Sequence, residues 1–212
     1  MKSIDKAFKL RNFKPVKHIP HVAFTLFLTL TFFSIHAQSK WKLEKSGKGI
    51  SVYTRHIPET SFKEFKAEIL INATMKDLEQ ALHQVKFHPE WMAGVEYTNV
   101  LSSEPEILLY NMHLPFPFTD RYVVMSIKTE SNADTYKVTL IHSDYPPGEV
   151  GDKVEIEYIK GYWLFTKVDE NTTSVVYQFV TDPGGNLPEW LVNIFIVKNP
   201  YKTLNNLRER LE

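Results

Sequence analysis

Residues 182–211 read DPGGNLPEWLVNIFIVKNPYKTLNNLRERL. Pro183, Gly184 and Gly185 break any strand that reaches Asp182, because proline has no amide to donate and glycine gives up much freedom when extended. Pro188 suits the first turn of a helix, where its missing N–H would have no intrahelical partner anyway. Beyond it, Leu191, Ile194, Val197, Tyr201, Leu204 and Leu211 recur at helical spacing. That spacing predicts one long amphipathic helix over Pro188–Leu211, its stripe turned towards a core.

The partner for this stripe lies upstream. Short β-rich runs follow one another at Ile50–Arg55, Phe62–Leu70, Val95–Leu101, Ile107–Leu114, Arg121–Thr129, Tyr136–Ser143, Val154–Ile159, Tyr162–Val168 and Ser174–Thr181. Turn-forming stretches such as Ser46–Gly49, Asp144–Gly148 and Asp169–Thr173 separate many of them. Gly47-Lys-Gly49 reads as a hairpin turn, since a dinucleotide loop would need a third glycine and a following helix. Thr74–Val85 differs: Met75, Leu78, Leu82 and Val85 repeat at helical spacing, with Thr74 as N-cap and Asp77 three residues on. Many strands feeding a last helix make the fold class α+β.

Alternation gives the strands readable faces. Leu108, Tyr110, Met112 and Leu114 share one face, with Asn111 and His113 opposite. Val123, Met125 and Ile127 follow Arg121 on one face of the next run, and Tyr136, Val138 and Leu140 lead to His142. Val154, Ile156 and Tyr158 alternate with outward Glu155 and Glu157, and Val175, Tyr177 and Phe179 line the last strand. So large an aromatic face needs a cover, and the final helix is the candidate.

The 212 residues carry 25 cations and 25 acids, which argues against a nucleic-acid partner. Six of the cations and only one acid fall within residues 1–37, so the remainder holds 19 cations and 24 acids, a net of −5. After those cations comes VAFTLFLTLTFFSI, Val22–Ile35, uncharged and shorter than the about 20 residues that span a bilayer. With small Ala37 before Gln38, residues 1–37 read as a cleaved signal peptide, with an uncleaved anchor as the alternative. The expected mature chain is a single domain over 38–212, exported, and periplasmic in a Gram-negative host. It has no cysteine, which removes disulfides, thiol nucleophiles and cysteine-based metal sites. A search for chemistry finds no GxSxG, HExxH or P-loop. His83 and His88, five apart around a helix end, read as solvated histidines and not as metal ligands. Catalytic residues, metal and cofactor are accordingly expected to be absent.

Three segments, taken in order, resemble the steroidogenic-acute-regulatory-related lipid-transfer (START) family. Leu114-Pro-Phe-Pro-Phe-Thr-Asp-Arg121 resembles its P-x-P loop and strand entry. Asp182–Trp190 resembles the D-x-G-G-x-[IL]-P-x-W segment that opens its C-terminal helix, which continues family-like to Asn206–Leu211. Gly49–Arg55, Phe65–Ala67 and Trp91 look like its first strands and the tryptophan after its inserted helix. Two positions depart from the family pattern: Tyr122 follows Arg121 where the family has an Arg-Asp pair, and Glu155 falls near a commonly basic position. The resemblance implies a helix-grip fold: a curved antiparallel sheet around a long C-terminal helix, with a hydrophobic tunnel for one lipid or sterol-like molecule.

On that reading Tyr110, Met112, Met125, Tyr177 and Phe179 form an apolar wall, or else packed core. Leu191, Ile194, Val197 and Tyr201 line the tunnel from the helix. Arg121 and His142 are its polar candidates, against a structural ion pair or a hydrogen bond at the helix end for the first and a solvated strand end for the second. Leu114, Phe116 and Phe118 form a greasy loop that two prolines keep out of the sheet, a gate for transient membrane contact or else two rings tucked permanently against the C-terminal helix. The expected partners are the lipid and a membrane surface, with the protein a monomer. Two other functions stay open. One is a polyketide-cyclase-like enzyme using Arg121, His142 and Tyr177, and the other is a protein-interaction module with a filled core.

Overall fold

A computed structural model describes residues 40–58, 63–185 and 187–212, and Ser39–Glu212 form one compact unit. The signal peptide read at residues 1–37 lies outside the described residues. Strands β1 (Lys42–Gly47) and β2 (Ile50–His56) form a hairpin, with Lys48 and Gly49 both at positive φ (51° and 74°). Glycine bears that conformation at no steric cost, as a two-residue hairpin turn of this hand requires. β1 was not among the runs read from the sequence. Its single large apolar residue, Leu43, is exposed at the sheet edge, so no alternation marks it.

β3 (Lys63–Ile71) leads into α1 (Met75–His83), which the Thr74–Asp77 capping box starts. The Thr74 hydroxyl accepts from the Asp77 amide, and the Asp77 carboxylate accepts from the Thr74 amide. A 3₁₀ turn (Val85–Phe87) and α2 (His88–Trp91) follow. Then come β4 (Val95–Ser103), β5 (Glu106–Met112), β6 (Arg121–Ser131), β7 (Thr135–His142), β8 (Val154–Glu155), β9 (Tyr158–Lys167) and β10 (Thr173–Asp182). The sheet order is β1-β2-β3-β10-β9-β7-β6-β5-β4, antiparallel throughout, with β8 added in parallel beside β6. The run read as Val154–Ile159 is therefore two elements. Val154 and Tyr158 are exposed while Ile156 is buried, so the alternation read there does not describe one face.

The last helix is divided. α3 (Glu189–Asn193) passes into a π-helical turn (Ile194–Lys198) and then α4 (Asn199–Leu211). Pro200 accounts for the break: it has no amide for the Ile196 carbonyl, and its ring collides with that carbonyl in a regular α-helix. Widening the preceding turn relieves the clash and adds a residue to it, which rotates one half of the helix relative to the other. The stripe read straight through Pro200 is corrected accordingly. Tyr201 turns to the β1–β2 hairpin, where its hydroxyl donates to the Gly47 carbonyl.

One face of the sheet and the helices enclose the main core, from Ile50 and Val52 through Phe165 to Leu204 and Leu207. The opposite face carries a smaller core of Ile107, Leu109, Tyr122 and Val124, covered in part by Val150 from the loop after β7. The outer face of β5 and β6 is thus buried too.

Candidate ligand cavity

Between the sheet and the divided helix lies a cavity of about 90 Å³. Tyr110 and Met112 of β5, Met125 of β6, Trp163 of β9, and Tyr177 and Phe179 of β10 supply its sheet wall. Phe195 of the π turn and Asn199, Pro200 and Thr203 of α4 supply its roof. No charged side chain lines it among the described residues. A second void of about 30 Å³ lies beside it, sharing Met92, Tyr110, Leu140 and Trp163 as the partition. A groove of about 630 Å³ shares Thr181, Pro183 and Phe195 with the larger void and extends past Lys63, Asp182 and Trp190.

The wall is shaped by one glycine. Gly161 pairs with Phe179 across β9 and β10, and a Cβ at Gly161 would come within 2.3 Å of the Phe179 ring and of the Gln178 carbonyl. Any other residue there would push the ring off the strand. Trp163 stacks flat on Tyr177 at 4.0 Å, and Phe65 and Phe179 meet Tyr177 edge-on at 5.0 and 5.1 Å. Such packing fixes the Tyr177 ring.

The structure brings five of the residues read from sequence to this cavity: Tyr110, Met112, Met125, Tyr177 and Phe179. It places the four helix residues elsewhere. Leu191 and Val197 are buried and Ile194 is half-buried, but none lines the cavity, and Tyr201 faces the hairpin. Phe195, Pro200 and Thr203 take their place because the π turn rotates the phase. Pro200 was the available signal for this.

Arg121 does not line the cavity. It is buried, and its guanidinium donates to the carbonyls of Pro183 (2.8 Å), Gly184 (3.2 Å) and Thr119. It fastens the loop that enters the last helix. His142 lies outside as well, with Nε2 3.2 Å from Glu155, whose other oxygen accepts from the Tyr122 hydroxyl. Arg121, His142 and Tyr177 therefore do not converge. Within the loop read as a gate, Leu114 is buried, Phe116 is 96% exposed, and Phe118 packs edge-on against Trp190 at 5.9 Å.

His88, read as solvated, is 2% exposed. Its Nε2 lies 2.9 Å from the Leu82 carbonyl and its Nδ1 2.5 Å from the Tyr110 hydroxyl. Burial pushes its pKa down to about 4, so it is neutral at ordinary pH. Sequence gave no sign of this, since the partner Tyr110 sits on a strand 22 residues away. On the outer face, Glu96, His113 and Asp120 each bring one ligand-type atom within 4.8 Å of the others, away from the cavity.

Residues 36–212 match the family model of the START domain. An uncharacterized protein of Pseudomonas aeruginosa is 31% identical over 176 residues, covering 81% of this chain and 87% of its own. The solved STAR-related lipid transfer protein of Xanthomonas axonopodis superposes with a TM-score of 0.72 at 30% identity, covering 81% of this chain and 98% of that fragment. The human phosphatidylcholine transfer protein is 25% identical over 165 residues, covering 74% of this chain and 77% of its own.

Proposed function

Because the chain belongs to the START domain family, we propose that it binds one lipid or sterol-like molecule between sheet and helix and transfers or presents it, without catalysis. The observation that carries this reading is a void with no charged wall, roofed by a divided helix. Its volume falls below the about 300–1,000 Å³ of a pocket that holds a drug-sized ligand. The guest must therefore open the site as it enters. Met92, Met112 and Met125 line it, and methionine repacks more readily than branched or aromatic side chains. The groove past Trp190 is the entrance in this reading, because it shares a wall with the void.

The loop at Leu114–Phe118 is the proposed gate. Leu114 anchors it, the exposed Phe116 ring meets the bilayer, and Phe118 leaves Trp190 when the entrance opens. With a net charge of −5 in the body, the exposed ring and not charge attraction supplies the docking. Phe116→Asp with Phe118→Asp should slow exchange of a fluorescent lipid with vesicles while leaving the thermal unfolding transition in place. An unchanged exchange rate would sink the gate, and loss of the folded state would make both rings core. The reading extends to an exported monomer, for which N-terminal sequencing from the host should find Gln38 or a neighbour.

A further inference from the structure

We propose that the guest is an uncharged, hydroxyl-bearing hydrophobe whose hydroxyl is held between the phenols of Tyr110 and Tyr177. The inference rests on the cavity being a binding site and says what chemistry that site selects.

The hydrogen-bond inventory leads there. His88 Nε2 faces the Leu82 carbonyl, which can only accept, so Nε2 carries the ring proton. Nδ1 is then a bare acceptor, and the Tyr110 hydroxyl must donate into it at 2.5 Å. Histidine stays neutral here because burial opposes its charge, so the arrangement does not invert at ordinary pH. The Tyr110 proton is committed, and its oxygen offers the cavity an acceptor only.

Tyr177 is the complement. Its ring is clamped by Trp163, Phe65 and Phe179, and its hydroxyl has no hydrogen-bond partner among the described residues. Burial raises the pKa of both phenols, so Tyr177 keeps its proton to donate, and both rings line the same void. Of the remaining polar wall groups, the Thr181 hydroxyl is spent on the Tyr158 carbonyl and Thr203 accepts from the Ala93 amide, while Asn199, with its carboxamide, and Trp163, with its indole N–H, also line the void. The two phenols therefore present one fixed acceptor and one free donor. A guest hydroxyl satisfies both, donating to Tyr110 and accepting from Tyr177. An ether or ketone satisfies Tyr177 alone. A carboxylate or phosphate finds no cation on this wall, and burying its charge unpaired is far costlier than burying a neutral polar group.

The test compares 1-dodecanol, dodecyl methyl ether and laurate by native mass spectrometry and quenching of tryptophan fluorescence. The wild type should bind the alcohol more tightly than the ether and laurate least. Tyr177→Phe removes a hydroxyl with no hydrogen-bond partner among the described residues, so it should leave stability unchanged and weaken the alcohol by about fivefold. Ether binding should fall less. Tyr110→Phe should also weaken the alcohol, and if it unfolds for want of a partner to His88, Tyr177→Phe still decides. Alcohol and ether binding equally, or an alcohol affinity unmoved by Tyr177→Phe, would overturn the inference and leave the binding site standing. Laurate binding best would overturn it as well. Failure of all three probes to bind would overturn both it and the reading beneath it.

Discussion

Along α4 the side chains tie the helix to the rest of the fold, whereas between Leu187 and Lys198 the described side chains make no hydrogen bond or ion pair. Tyr201 reaches Gly47, Thr203 takes the Ala93 amide, Asn206 donates to Trp91, Arg208 to Lys48, and Arg210 pairs with Glu90. Just beyond the helix, the Glu212 carboxylate accepts from the Asn72 amide. Leu204 and Leu207 are fully buried beneath this network. The first half rests on apolar contact, with the π turn against β2 and β3 and with Trp190 half exposed. Apolar contact has no preferred direction, so a segment held by it can shift where a hydrogen-bonded one must break its bonds. The half that can shift is the half that shares walls with the groove.

The largest effect should come from placing a charge under the tied half. Leu204→Asp buries a carboxylate with no partner and should cost more than about 4 kcal/mol, enough to abolish the urea transition. Ile194→Asp, half-buried in the π turn, should leave a measurable transition. If the two variants melt alike, the halves are equally rigid and the comparison fails.

Next comes pH. His88 sits in α2, to which the tied half is bonded through Trp91. Its folded pKa, about 4, lies below the ordinary 6.5, so between these values the unfolded chain takes up a proton that the fold refuses. Stability should therefore fall by about 3 kcal/mol as pH drops from 6.5 to 4 and level off below. His88→Gln keeps a donor for Leu82 and an acceptor for Tyr110, and should remove most of that slope. A slope that survives the substitution places the titrating group elsewhere.

Amide hydrogen exchange sharpens the boundary. Amides of Leu191–Lys198 should exchange at least about tenfold faster than those of Thr203–Leu211, since local opening follows contact and bonding. Uniform protection across Pro200 would mean that the helix moves as one body. The smallest effect belongs to Arg210→Ala. Its pair with Glu90 at 2.6 Å is solvent-exposed and should contribute under about 1 kcal/mol to unfolding.

Much of the frame was legible in the residues. Period-two runs placed most strands, because one face of each must bury apolar side chains. The capping box at Thr74 marked a helix start through local hydrogen bonds alone. The residues from Asp182 to Trp190 announced the last helix by backbone chemistry. The sheet wall at Tyr110, Met112, Met125, Tyr177 and Phe179 also followed from alternation, since a strand's faces are fixed by its own geometry. β1 escaped because an edge strand with one exposed leucine has no face to read.

The helix face did not follow, because an apolar stripe shows period but not the extra residue that Pro200 forces into the preceding turn. Nor did the roles of the polar residues. Arg121 shares a strand face with apolar neighbours, yet carbonyls 62 and 63 residues away claim its guanidinium. His88 reads as solvated until a tyrosine from β5 and the Leu82 carbonyl close around it. Sequence by itself determined which elements form and which strand faces turn inward, because those depend on neighbours along the chain. Tertiary structure alone decided the phase of the covering helix and the partners of each polar group, because those depend on what the fold brings together from far along it.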